Sequence, residues 1–240
     1  MRFTNPGAII EDHLRGQALR TFLEHEGRKA VMLDLGCGAR PYAHIYGSKF
    51  DRCIGADLAE GPFPKKDVDI FCEATAVPLP DDSVDFILCT EVLHDIREPG
   101  LFFQEVFRLL KPGGRLFLTS PFLVPIVDGT YDHYRYTSHG LRHHLLKVGF
   151  SVISIRPVGD IFAVQVTLMI KPLLRIFNRI AKLTGLRFLY SPFNPLMFLT
   201  AVMPQLGYLA MLKTPLINKF LSRFDYGPIG YISVAGKPQS

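Results

Sequence analysis

The chain has 240 residues, of which 48% are apolar and 20% charged, and its formal net charge is +5 at pH 7. It is long and apolar enough to bury one full domain core and carry an appendage. Its cysteines lack the paired spacing of a zinc site, and acidic residues interrupt any apolar run near the N-terminus, so we expect neither a zinc cluster nor a signal peptide. We expect reduced thiols in a cytoplasmic protein at Cys37, Cys53, Cys72 and Cys89.

The positive charge is concentrated in the last third of the chain. Residues 161–240 contain nine Lys/Arg and a single acidic residue, Asp225, whereas residues 1–160 have a net charge of −3. This asymmetry argues against a nucleic-acid footprint over a catalytic face and indicates a separate role for the C-terminal part.

The first elements form a helix and two strands. Ile10, Leu14, Ala18, Phe22 and Leu23 recur at helical spacing, and Gly27 can close that helix. A strand over residues 30–35 follows, and a second strand over 52–57 ends in an acidic residue.

A glycine turn follows the first strand, in the sequence VMLDLGCGARPY of residues 31–42. An apolar run broken by Gly36 and Gly38 predicts a buried parallel strand that enters a tight loop close to a ligand. Pro41 stands where the dinucleotide fingerprint has its third glycine, so a nucleoside ligand fits better than a pyrophosphate. Asp57 lies 19 residues after Gly38, at the distance typical of a ribose-binding acid.

These residues resemble the class I S-adenosylmethionine-dependent methyltransferases of the type 11 group. Their first motif, an acidic residue followed by Gly-x-Gly, is matched by Asp34, Leu35, Gly36, Cys37 and Gly38, although Arg40 stands where the family often has a further glycine. The LKPGG turn at 110–114 and the strand RLFLTSPF after it match the family as well. The resemblance implies S-adenosylmethionine as cofactor. It assigns cofactor contacts to Asp34, Gly36, Cys37, Gly38, Asp57, Leu58, Glu73, Ala74 and Glu91, with Glu73 and Ala74 at the adenine.

The implied fold is an α/β Rossmann-like seven-stranded sheet with helices on both faces. Residues 150–157 are predicted as strand six and residues 230–235 as strand seven, the last strand often being antiparallel. We expect a methyltransferase core over 1–159 and 229–240, with a helical insertion at 160–228.

The loop after strand five, residues 128–136, is the candidate acceptor site. His133 is a candidate general base, and Arg135 is a candidate anchor for a carboxylate or phosphate. Alternatively, the aromatic residues only fasten the loop to the next helix. Candidate substrate contacts are Tyr131, Tyr134, Arg135 and Tyr136.

Three further histidines, His94, His139 and His143, lie at positions where a functional role is possible. His94, after the fourth strand, is either a second candidate catalytic residue or a packing residue. His139 and His143 lie at i and i+4 on a helix that Thr137 is expected to cap, but no carboxylate partner accompanies them, so we predict no metal site.

The predicted insertion has the pattern of an interfacial helix. Pro172 and Gly185 are expected to bound a helix with a basic face of Lys171, Arg175, Arg179 and Lys182. The opposite face is apolar, and Phe188–Leu212 is a 25-residue stretch without charge, broken by Pro192, Asn194, Pro195 and Pro204. A lid over the active site, a homodimer interface and a peripheral membrane contact remain open for residues 160–228.

The sequence therefore predicts methyl transfer from S-adenosylmethionine to a small-molecule or lipid-linked acceptor, with O-methylation favoured. The expected location is cytoplasmic, with a peripheral contact at the inner face of the membrane as an option. The alternatives are a cofactor-binding but non-catalytic membrane or partner module, and a nicotinamide oxidoreductase, which Pro41 disfavours.

Overall fold

Strands and helices alternate along most of the chain in the computed structural model, which describes residues 8–26, 29–60, 67–126, 131–184, 198–221 and 227–239. In chain order the elements are α1 (Ile9–His25), β1 (Lys29–Leu35), α2 (Ala43–Tyr46), β2 (Phe50–Asp57), β3 (Ile70–Phe71), β4 (Val84–Thr90), a 3-10 turn (Leu93–Asp95), α3 (Pro99–Leu109), β5 (Leu110–Pro121), α4 (Ser138–Lys147), β6 (Ser151–Val158), α5 (Ile161–Thr184), a π-helical turn (Phe198–Val202), α6 (Met203–Leu212), α7 (Pro215–Leu221) and β7 (Gly230–Gly236). Gly27, proposed as the end of α1, lies outside the described residues.

The strands join in a seven-stranded mixed sheet in the order β3-β2-β1-β4-β5-β7-β6 within the described residues. The pairs β1–β2, β1–β4, β2–β3 and β4–β5 are parallel. The strand order therefore reverses between β1 and β4, and in such sheets ligands bind beyond the carboxyl ends of the strands at this reversal. The predicted fold class is confirmed.

The central strands are buried on both faces, which explains their nearly continuous apolar sequences. In β4, for example, residues 86–89 are completely buried. The helix α3 contributes an apolar stripe of Phe102, Val106 and Leu109 to the same core. These contacts fix the strand ends that carry the site.

The junction between α3 and β5 differs from the prediction. Instead of a turn over residues 111–114, β5 begins at Leu110, directly after the helix, and its pairing with β4 shifts between Val84 and Phe86. Gly113, at φ +78°, accommodates the irregular strand start. Asp85 stabilises this region, because it accepts the Val31 N–H at 2.8 Å and pairs with Lys111 Nζ at 3.0 Å.

The chain divides into two compact units. The core unit comprises Gly16–Phe122, Ile126–Arg156 and Tyr231–Ser240, and the insertion unit comprises Met1–Arg15, Leu123–Pro125 and Pro157–Gly230. The N-terminal residues thus group with the insertion unit, a membership that helical periodicity alone does not reveal.

In the insertion unit, α5 begins eleven residues before Pro172, so the expected start at this proline is wrong. Asp160 is the reason, because its Oδ1 accepts the N–H groups of Phe162 and Ala163, both at 3.0 Å, in the manner of an N-cap. Pro172 lies inside the helix. Gly185, expected to end it, lies outside the described residues.

The uncharged stretch 188–212 is only partly described. Its residues up to 197, with Pro192, Asn194 and Pro195, lie outside the described residues, and the remainder forms the π-helical turn and α6. Among the helices that the structure describes, none combines the length and the apolar character needed to cross a membrane.

Candidate active site

The loop after β1 folds back on the end of β2. The N–H groups of Gly36 and Cys37 both donate to the carbonyl oxygen of Ala56, at 2.8 and 3.1 Å. Gly36 and Gly38 have φ angles of +73° and +50°, which L residues rarely adopt. A Cβ on Gly36 would lie 2.1 Å from Val92 Cγ2, whereas a Cβ on Gly38 would have no atom within 4 Å. One glycine therefore permits close packing, and the other leaves an open approach to the backbone.

Arg40 also has a left-handed backbone, at φ +48°. The departure from the family's glycine therefore keeps the loop conformation that a glycine favours. The guanidinium lies over Gly55, where a Cβ would come within 2.2 Å of Nη2, and it forms an ion pair with Asp69. Asp69 in turn accepts the Gly55 N–H at 2.8 Å, so Arg40 ties the glycine loop to β2.

Asp34 lies behind the glycine loop and is 4% exposed. The hydroxyl group of Tyr46 donates to its Oδ2 at 2.7 Å. Burial raises the pKa of Asp34 to about 6, although the Tyr46 hydrogen bond and Arg40 act in the opposite direction. Asp34 therefore organises the loop from inside rather than presenting a carboxylate on its surface.

Asp57 closes the glycine loop from the end of β2. Its Oδ2 accepts the Gly38 N–H at 2.6 Å and its Oδ1 accepts the Leu58 N–H at 2.7 Å. These bonds orient the carboxylate next to the open side of Gly38. In the parallel register Asp57 is paired with Phe71, whose side chain is 56% exposed at the end of β3.

The predicted adenine residues follow β3 directly. Glu73 is exposed and Ala74 is 8% exposed in the core cluster. The order of the strands places both residues at the same sheet edge as Asp57, beyond the strand that neighbours β2.

The turn after β4 contains two further predicted site residues, Glu91 and His94. Glu91 has φ +57°, its N–H donates to Thr119 Oγ1 at 3.1 Å, and the Thr119 hydroxyl donates to Glu91 Oε1 at 2.8 Å. His94 is 6% exposed, and its Nε2 lies 3.2 Å from Asp95 Oδ1. The Asp95 carboxylate is thus within ion-pair distance of the ring, whose other nitrogen, Nδ1, is buried.

Two hydrogen bonds attach the candidate acceptor site, the loop of residues 128–136 that we call the acceptor loop, to this turn. The N–H groups of His133 and Tyr134 both donate to the carbonyl oxygen of His94, at 2.8 and 3.1 Å. The His133 side chain is exposed. The first part of the predicted loop, Asp128, Gly129 and Thr130, lies outside the described residues.

The aromatic residues of the acceptor loop differ in exposure. Tyr131 and Tyr134 are 37% and 41% exposed, and the Tyr134 hydroxyl donates to the carbonyl oxygen of Arg97 at 3.1 Å. Tyr136 is 6% exposed and belongs to the core cluster. Thr137 caps α4 as predicted, by accepting the Gly140 N–H at 3.1 Å.

Arg135 and Asp132 form a two-pronged ion pair in which Nη2 lies 2.6 Å from Oδ2. Ligand atoms of His94, Asp95 and Asp132 come within 4.8 Å of one another, a spacing compatible with cation ligands. Because Arg135 already occupies Asp132, this guanidinium supplies the positive charge of the cluster, and an incoming anion would compete with Asp132 for it.

The arrangement is that of a nucleoside-binding α/β domain in which the glycine loop and the loop of His133 and Tyr134 both contact the turn after β4. The fit to S-adenosylmethionine rests on the left-handed glycine loop with its open Gly38 and on the Asp57 carboxylate next to it.

Comparison with known proteins supports a methyltransferase domain. Residues 33–118, about a third of the chain, match the type 11 family described as "Methyltransferase domain". This match and the similarity to curated methyltransferases support a class I S-adenosylmethionine-dependent methyltransferase domain in this part of the chain. S-adenosylmethionine is accordingly the cofactor of this domain.

Similar proteins extend the comparison. Methyltransferase AacuQ of Aspergillus aculeatus is 40% identical over 99 residues, which cover 38% of this chain and 32% of that protein. A ubiquinone biosynthesis O-methyltransferase of Pseudomonas fluorescens is 26% identical over 101 residues, 37% of this chain and 43% of that protein. The match thus spans less than half the length of either relative.

A solved structure supports the fold. Phosphoethanolamine N-methyltransferase 2 of Haemonchus contortus, in complex with S-adenosyl-L-methionine, has a TM-score of 0.55 at 18% identity, covering 94% of this chain and 52% of that one.

Sequence reasoning did not identify the partners of several predicted residues. The structure reveals three such contacts: Tyr46 with Asp34, Thr119 with Glu91, and Asp95 with His94. Only Asp95 had a usable signal, since it is adjacent in sequence to a candidate histidine.

Proposed function

We propose that this protein transfers a methyl group from S-adenosylmethionine to a hydroxyl oxygen of a small-molecule or lipid-linked acceptor. The cofactor supplies a methyl group bound to a positively charged sulfur, which needs placement more than activation. The role of the protein residues is then to hold the nucleoside, align the acceptor and receive the hydroxyl proton.

The observation that carries the proposal is the turn after β4, which contacts both halves of the candidate site. Val92 packs against the Cα of Gly36 in the glycine loop, and the carbonyl oxygen of His94 holds the acceptor loop through two N–H groups. A single rigid turn thereby sets the distance between the nucleoside side and the acceptor side, which is what an in-line displacement requires.

His94 is the favoured proton acceptor. The Asp95 carboxylate, 3.2 Å from Nε2, stabilises the imidazolium that His94 becomes when it takes a proton from an acceptor hydroxyl as the new carbon–oxygen bond forms. His133, the other candidate, is exposed. Its role in the proposal is to border the acceptor together with Tyr131 and Tyr134.

The name of one relative favours oxygen over other acceptors. The Pseudomonas fluorescens protein is named an O-methyltransferase of ubiquinone biosynthesis. From this name we extend to this chain only the methyl-accepting atom, oxygen. The acceptor molecule is still proposed as small or lipid-linked.

The proposal retains a cytoplasmic location and a peripheral membrane contact through residues 160–228. The basic C-terminal part supports that contact, since residues 161–221 contain no Asp or Glu. A homodimer through the same residues is the competing hypothesis.

The experiment is a transfer assay with S-adenosylmethionine labelled in the methyl group and lysate of the source cells. Label in a lipid or small-molecule fraction, stable to conditions that cleave esters and released by ether cleavage, is the expected result. A matched reaction with Asp57→Ala controls for carry-over of free cofactor. Absence of label while S-adenosylhomocysteine still binds would contradict the proposal and favour the non-catalytic module.

A further inference from the structure

The helix α5 presents three different stripes along its length. One stripe is buried in the insertion unit and consists of Ala163, Val164, Thr167, Ile170 and Leu174, each at most 7% exposed. At 100° per residue the opposite side of the helix should then be polar. Instead it is apolar: Leu168, Met169, Leu173, Ile176, Ile180 and Leu183 are between 36% and 79% exposed.

A basic stripe runs along one edge of this apolar face. Arg175, Arg179 and Lys182 are exposed and lie within about 60° of one another around the helix. Lys171, which the sequence places on the same stripe, has another role, because its Nζ lies 2.9 Å from Glu11 Oε1 and its side chain is 18% exposed. We call the six apolar and three basic exposed residues the outer face of α5.

The outer face contains no negative charge. No Asp or Glu occurs between Ile161 and Leu221, so α5 and the described helices after it carry cationic side chains and no carboxylate side chain. The helix α7 repeats the pattern on a smaller scale, with Leu216 and Phe220 at 82% and 53% exposure beside Lys219.

We infer that the outer face of α5 docks on an anionic lipid bilayer, with the helix lying in the plane of the interface. An exposed apolar stripe bordered by Lys and Arg is the arrangement by which interfacial helices bury apolar side chains among acyl chains while the cations meet lipid phosphates. Charge decides between occupants, because a second copy of α5 would bring the same cations and no carboxylate, whereas an anionic bilayer presents charge of the opposite sign.

The absence of tryptophan from the chain permits a direct test. Ile176→Trp, at a position 54% exposed, places a single indole on the outer face, and Leu146→Trp, at 53%, places one on α4 of the core unit as the control. Each full-length variant is titrated with vesicles of phosphatidylcholine alone and with vesicles that contain phosphatidylglycerol.

The expected result is a blue shift and quenching by brominated acyl chains for the Ile176→Trp protein on anionic vesicles only. The Leu146→Trp protein should show neither effect. If the emission spectrum of the Ile176→Trp protein does not change when vesicles are added, the inference is overturned. A blue shift without lipid that grows with protein concentration would overturn it as well, because a second copy of the chain would then cover the face.

A charge-reversal set tests the basic stripe separately. Arg175, Arg179 and Lys182 changed together to Glu should weaken binding to anionic vesicles at least about a hundredfold, because each cation near such a surface contributes about one kcal/mol. Reversal of Arg20, Arg142 and Lys147 on the core unit makes the same change in net charge and should have a much smaller effect. If both charge-reversal variants lose the same affinity for anionic vesicles, binding depends only on net charge, and the outer face of α5 is not the docking surface. Vesicle binding is measured without cofactor, so its outcome is independent of methyl transfer.

Discussion

Val92 lies so close to the Cα of Gly36 that a Cβ at this glycine would be 2.1 Å from Val92 Cγ2. This contact joins the end of β4 to the end of β1, the two strands between which the strand order reverses. Gly36 is therefore required for packing as well as for its backbone conformation. Gly38 has no such neighbour, so substitutions at the two glycines should have different effects.

We predict that Gly36→Ala and Gly38→Ala separate stability from binding. Gly36→Ala combines a left-handed backbone with the Val92 clash and should destabilise the fold by about 3 kcal/mol or more. Gly38→Ala meets only the backbone strain, about 1–2 kcal/mol. Its methyl group nevertheless enters the open space beside Gly38, where we expect the nucleoside to bind, so S-adenosylhomocysteine affinity should fall at least tenfold. Urea unfolding and calorimetric titration measure the two effects; undiminished affinity in the Gly38→Ala protein would place the ligand elsewhere.

Asp57 is expected to bind the ribose hydroxyls while it orients Gly38 and Leu58. Asp57→Ala should weaken S-adenosylhomocysteine binding at least tenfold, or about 1.4 kcal/mol. Asp57→Asn keeps one acceptor oxygen and should lose less. Titration calorimetry on both variants is the measurement, and an affinity equal to that of the unaltered protein would remove the ribose assignment.

The two candidate bases predict different kinetics. His94→Gln should lower kcat by about 10² to 10⁴ without a matching loss of cofactor affinity, since general-base catalysis contributes on that scale. His133→Ala, at an exposed position of the acceptor loop, should raise KM for the acceptor more than it lowers kcat. Steady-state kinetics with the acceptor from the labelling assay distinguish them. If kcat collapses only in His133→Ala, the base assignment belongs to His133.

Asp34 should make stability depend on pH. Its folded pKa of about 6 lies above the ordinary 3.8, so its favourable contribution is complete below pH 3.8 and is lost as the pH rises through 6. Asp34→Asn keeps an oxygen for the Tyr46 hydroxyl and removes the titration. The stability of the variant relative to the unaltered protein should therefore increase by up to about 3 kcal/mol between pH 3.5 and 7.5. Urea unfolding across this range tests it, and a constant difference would refute a protonated Asp34.

Much of the fold was predictable because its signals are local. The apolar strands, the glycines at positive φ and the cap at Thr137 depend on residues near one another in sequence, and the structure confirms each of them. The start of α5 at Ile161 was missed because the helical pattern was sought from Pro172, although Asp160 offered a cap twelve residues earlier.

The candidate site was predictable as a set of strand ends but not as a network. Parallel strands bring their carboxyl ends to one edge whatever the details of packing, so Asp34, Asp57, Glu73 and His94 could be grouped from the sequence. Which side chains at these strand ends are buried or paired depends on partners elsewhere in the chain, such as Tyr46 at Asp34 and Thr119 at Glu91.

The sequence by itself determined the sheet, the glycine loop and the basic character of the C-terminal third, because backbone conformation, apolar periodicity and charge count are properties of short segments. Only the tertiary structure decided that Asp34 is a buried acid, that Glu91 bonds to Thr119 and that Lys171 pairs with Glu11, so that Arg175, Arg179 and Lys182 are the cations beside the apolar face of α5. Burial and ion pairing depend on which residues meet across long sequence separations, and that is set by packing.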